Sequence, residues 1–98
     1  MLVAIAIPIF SSQLEKSREA TDLANIRAAY AEASVDALNK EDGTAGTATS
    51  VEMKQQSGWD YVDNHIAGVA TDIPDVEAGD TVTVSVNSGS GAVTFTVN

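Results

Sequence analysis

Apolar residues fill almost all of the first ten positions and then recur at helical spacing as far as Leu38. The stretch 2–38 has no glycine and a single proline, Pro8, and it is rich in Ala, Leu, Glu, Arg and Gln, all good helix formers. This predicts one helix, about 55 Å long at 1.5 Å rise per residue. At about 100° per residue, Leu23, Ile26, Tyr30, Ala33 and Ala37 share one side, with Phe10, Leu14, Ala24, Ala28, Ala31 and Val35 roughly opposite. Polar rows separate the stripes: Arg18, Asp22, Asn25, Glu32 and Asp36 on one flank, Lys16, Arg27 and Ser34 on the other. Either both stripes are buried inside one domain, or one packs on the chain's own sheet and the other on neighbouring copies. Only about 60 residues remain to cover two faces and a protruding end, which favours the second arrangement. The second stripe is mostly alanine, so helix axes could approach closely there. Pro8 removes one backbone donor and crowds the carbonyl four residues earlier. It predicts a kink or break near Ala4, or else a helix that begins at Pro8, with Ser11 or Ser12 able to cap a restart. Glu15, Arg18 and Glu19 read as charges on a hydrated face.

Beyond the helix the pattern changes. Residues 39–43 end it, and Gly43 suits a positive φ just past the terminus. Residues 44–50, TAGTATS, are small and polar and read as an exposed connecting loop. Residues 51–55 alternate weakly and suggest a short strand. Trp59 and Tyr61 follow Gly58; Trp59 reads as a core plug or, alternatively, an exposed adhesive contact. The strictest alternation comes last: residues 81–87 and 92–98 interleave Val82, Val84, Val86, Val93, Phe95 and Val97 with threonine, serine and asparagine, around a Ser-Gly-Ser-Gly turn. A hairpin alone is marginal, so it must pack on something. The bulky helix stripe is the expected partner, with Phe95 against Leu23 or Tyr30.

The expected fold class is therefore α+β, a long N-terminal helix packed against a small C-terminal antiparallel sheet. Residues 1–39 form the helix, with 1–14 protruding, and residues 40–98 form the loop and sheet on its second half.

Composition narrows the function. Five Lys and Arg against fourteen Asp and Glu leave a net charge of −9, which disfavours direct binding to nucleic-acid phosphates. With no cysteine, neither a disulfide nor a thiolate metal site can form. His65 is the lone histidine, and no nucleophile–base set or phosphate-cradling glycine motif is visible, so no enzyme and no cofactor are expected. Asp72, Asp75, Glu77 and Asp80 are oxygen ligands at close spacing but lack the ligand-and-glycine order of an EF-hand. They read as a hydrated turn, with calcium as the other possibility. The apolar run 1–10 is shorter than the roughly 20 residues that span a bilayer.

The stretch AIAIPIFSSQLEKSREATDLANIRAAYAEA resembles the N-terminal helix of type IV pilins and pseudopilins. The likeness lies in an apolar run into Ala-Ile-Pro, an aromatic two residues on, and then a polar, alanine-rich helix. It covers about the first third of the chain. A leader peptide and a glutamate within a longer apolar run, both typical of the family, are not among these residues, so the chain reads as an N-terminally truncated member. The resemblance implies a structural subunit of an extracellular, type IV pilus-like filament used in adhesion, motility or DNA uptake. Such a subunit resides in the inner or cytoplasmic membrane before assembly, partners copies of itself in a helical homopolymer, and is handled by a membrane-embedded assembly machine. The alternative is a pseudopilin of a type II secretion or competence system, a class in which an acidic loop often binds calcium. The expected assembly interface is Leu2, Ile5, Ile7, Pro8, Phe10, Leu14, Ala24, Ala28 and Ala31. The expected sheet-packing face is Leu23, Ile26, Tyr30 and Phe95.

Overall fold

The computed structural model describes the backbone of residues 2–41, 43–56, 58–66 and 68–98, and the side chains among these from Gln13 onward. One long helix, α1 (Leu2–Leu38), is followed by three strands: β1 (Ala45–Thr49), β2 (Val82–Asn87) and β3 (Val93–Val97). The strands form one antiparallel sheet in the order β1-β2-β3. The fold is α+β, one long helix laid against a small antiparallel sheet.

α1 runs unbroken through Pro8. The break expected near Ala4, and the restart at Ser11 or Ser12, do not occur. A single missing donor is a local cost, and strong helix formers on both sides outweigh it. The helix ends with tightened i→i−3 bonds, Asn39 N–H to Asp36 O and Lys40 N–H to Ala37 O, both 3.1 Å. Gly43 then reverses the chain at φ +86°.

Residues 44–50 are not a free loop. Ala45–Thr49 is edge strand β1, paired in register with β2 from Ala45↔Asn87 to Thr49↔Thr83. Its small residues are what the packing requires. Ala29, Ala33 and Ala37 on α1 are buried over β1 and β2, and Gly46 lies so close to the helix that a Cβ there would overlap the backbone of Ala33 and Ala37. The helix packs on β1 and β2, and β3 lies beyond β2 on its far side. Phe95, opposite buried Val84 on β2, is half buried against the core cluster that contains Leu23. The β2–β3 hairpin closes as the alternation predicts, with Asn87 Oδ1 accepting from Gly89 and Ser90 N–H at 2.9 and 3.0 Å.

The connection from β1 to β2 contains no regular element among its described residues. The strand expected at 51–55 is absent: Met53 pairs its backbone once with Gly79 and Asp80, at 2.9 and 2.7 Å, and the ladder stops there. Yet this segment supplies Met53, Ile66, Val69, Ile73 and Val76 to the core beside Leu23, Ile26 and the β2 valines. Trp59 is half buried against that core, its indole N–H donating to Pro74 O at 2.8 Å, while Tyr61 is exposed.

The molecule measures 63 × 22 × 17 Å with a radius of gyration of 16.0 Å, against about 13 Å for a compact chain of this length. The excess is the helix. Its buried positions among the described side chains run from Glu15 to Ala37, and its N-terminal turns extend past the sheet.

Candidate functional site

The face of α1 that meets the chain's own domain is Glu15, Glu19, Asp22, Ile26, Ala29, Ala33 and Ala37, with Leu23 beside it. The spacings are threes and fours, one stripe of a helix. Its first turns are acidic, which corrects the reading of Glu15 and Glu19 as solvent-side charges and brings Asp22, read as part of a polar flank, onto the buried stripe. Glu19 and Asp22 are 0% exposed. Each carboxylate accepts backbone N–H groups from the irregular segment laid over it. Asp22 takes Lys54 and Gln55 at 2.8–2.9 Å. Glu15 Oε2 takes Gln56 at 2.9 Å. Glu19 Oε1 takes Tyr61 at 2.8 Å and Val62 at 3.0 Å. Arg18 Nη1 lies 3.5 Å from Glu15 Oε1. A connection without strand partners leaves its amides unpaired, and buried amides must find acceptors. A carboxylate offers several lone pairs at a point and makes charge-assisted bonds. The acidic stripe therefore ties the irregular connection to the helix. Glu19 Oε2 and both side-chain amide atoms of Gln55 are buried without a hydrogen-bond partner among the described residues.

The opposite face of α1 is open. Leu14 is 52% exposed, Val35 60% and Leu38 84%. Ala24, Ala28 and Ala31 are exposed between them. Of the expected assembly interface, Leu14, Ala24, Ala28 and Ala31 thus share one exposed surface of mostly small residues; the side chains of Leu2, Ile5, Ile7, Pro8 and Phe10 lie outside those described. Of the expected sheet-packing face, Leu23 and Ile26 are buried, while Tyr30 and Phe95 are half buried. Among the described residues no helix is long and apolar enough to cross a membrane.

The acidic loop does not converge. Asp72 Oδ1 lies 3.2 Å from His65 Nδ1, and Asp80 Oδ2 accepts from Glu77 N–H at 2.9 Å within a turn. Among the described residues no group of three or more His, Asp or Glu side chains is placed to hold a metal ion.

The sequence reading missed the buried carboxylates and the role of Gly46. A signal for the first was present: positions 15, 19 and 22 extend the spacing of the buried stripe 26, 29, 33 and 37. No family model, curated protein or solved structure matches the chain.

Proposed function

We propose that this chain is a structural subunit of a type IV pilus-like extracellular filament, assembled through α1. The observation that carries the reading is the one-sided burial of the helix. One stripe of α1 is covered by the chain's own connection and sheet, and the opposite stripe, Leu14, Ala24, Ala28, Ala31 and Val35, is exposed. That stripe runs on from the apolar segment 2–10, which resembles the assembly helix of pilins. A helix that its own domain leaves half bare, and that extends past it, fits a polymer in which each copy covers the next. The alanines fit close helix–helix approach.

The charge distribution agrees. All five Lys and Arg lie at or before residue 54. Lys16 and Arg27 are exposed on α1, while Asp60, Asp63, Asp72, Asp75 and Glu77 are exposed on the connection. A head-to-tail polymer sets unlike regions of successive copies against each other. The alternative is a pseudopilin of a type II secretion or competence system; among the described residues the acidic-loop carboxylates are not grouped to hold the calcium ion that such subunits often bind.

The test is electron microscopy of cells producing the full-length protein with Ala28→Arg, beside circular dichroism of the purified variant. Ala28 is exposed, so folding is unaffected, and an arginine keeps neighbouring helices apart. Fibres should disappear; normal fibres would refute assembly through this face.

A further inference from the structure

The two free edges of the sheet differ. On β1, the outward N–H of Thr47 donates to Asp36 Oδ2 at 3.1 Å, so a helix carboxylate caps the middle of that edge. On β3, pairing with β2 fixes which groups face outward. Asn98 N–H donates to Thr81 O and Asn87 N–H to Ala92 O, both at 2.9 Å, with Thr96 opposite Thr83 and Thr94 opposite Ser85. By the alternation of an antiparallel ladder, Val93, Phe95 and Val97 turn their N–H and C=O groups away from β2. Among the described residues no backbone hydrogen bond reaches these groups. The connection stands off from the Val93 end of the strand across a cleft of about 250 Å³ lined by residues 68–71 and 90–93.

An open edge is a template for another strand, and this one is complementary to itself. Val93-Thr94-Phe95-Thr96-Val97 reads the same in both directions. Set antiparallel to its own copy about Phe95, it places Phe95 opposite Phe95 and Val93 opposite Val97. These are the residues with free backbone groups, so about six N–H···O=C bonds form. Thr94 then falls opposite Thr96 on the exposed face. Charge selects the same partner: residues 81–98 contain no Asp, Glu, Lys or Arg, in a chain of net charge −9. Two copies meet here without opposing like charges.

We propose that β3 docks a second copy of this chain across a two-fold axis, joining two three-stranded sheets into one continuous sheet. The contact is closed and isologous, unlike the head-to-tail contact of a fibre, and it stands independently of assembly through α1. Where fibres form, it joins subunits of adjacent fibres side by side.

The test uses sedimentation of the full chain carrying Ile5→Asp and Ile7→Asp, which removes association through the apolar segment. This parent should show a concentration-dependent monomer–dimer equilibrium. Adding Thr94→Lys with Thr96→Lys sets lysines against each other in the paired register, and Thr94→Glu with Thr96→Glu does the same with carboxylates. Both threonines are exposed, so circular dichroism should stay unchanged. Each pair should weaken dimerisation at least tenfold, and an equimolar mixture of the two should restore it, because each introduced lysine then faces an introduced glutamate. A parent that stays monomeric at all concentrations would overturn the proposal. So would a dimer indifferent to these charges, or a mixture that fails to recover.

Discussion

Gly46 sets how closely the sheet approaches α1. Its backbone lies where any side chain would meet the peptide groups of Ala33 and Ala37, and neither is the movable end of a side chain. Gly46→Ala must therefore displace strand or helix. Overpacking of this kind costs about 2 kcal/mol, which in a domain of this size lowers Tm by roughly 8–16 °C; a melt within 2 °C of the parent would refute the close contact. Gln55 is the opposite case. Its side-chain amide is buried and makes no hydrogen bond among the described residues, while its backbone N–H is held by Asp22. Gln55→Met preserves the shape and the backbone bond and removes two unpaired polar atoms. It should stabilise the fold by about 1 kcal/mol, measured as a shift of the urea midpoint with unchanged slope.

At the scale of elements, the stitching of the irregular connection to α1 is separable from the sheet. Asp22→Ala leaves the amide of Gln55 buried, and that of Lys54 partly buried, without its acceptor, at a cost of about 3 kcal/mol. Hydrogen exchange should localise it: protection at residues 54 and 55 collapses further than protection at Thr83 and Ser85, which are held by the β2–β3 ladder. Equal loss at both places would mean that the connection and sheet open as one unit. Phe95 tests the other side of the core. Half buried at the edge of the hydrophobic cluster, its truncation to alanine should cost about 1–2 kcal/mol, less than a fully buried phenylalanine. Denaturant titration distinguishes that from the larger loss expected of a fully buried ring.

For the molecule as a whole, the decisive property is that its longest element is covered along one face. If α1 builds fibres, Ile5→Asp or Ile7→Asp should abolish them, because an unpaired buried carboxylate is costly. The folded domain should survive, since the packed positions among the described side chains begin at Glu15. Normal fibres in cells producing the full-length variants would contradict the filament reading. Lys16 and Arg27 add a second check. If they meet the acidic connection of a neighbouring copy, fibres of a Lys16→Glu, Arg27→Glu variant should dissociate at lower salt than the parent's, because exposed ion pairs act over a Debye length of about 8–10 Å. No difference would remove the electrostatic part of the proposal.

Local pattern alone determined α1 and the β2–β3 hairpin. Periodicity near 3.6 without glycine, and strict alternation about a glycine-rich turn, are properties of neighbours along the chain, so no distant contact is needed to read them. The same holds for Leu23 and Ile26 as the inward face. Tertiary structure decided the rest. TAGTATS became a strand because its small residues fit against the alanines of α1. Ile66, Val69, Ile73 and Val76 recur at threes and fours yet form no helix; Gly68 sits at φ +85° and Pro74 interrupts the run. Glu15, Glu19 and Asp22 went inward because unpaired amides 32 to 43 residues away along the chain needed acceptors. A carboxylate's place depends on where those amides arrive, and only the folded chain brings the two together.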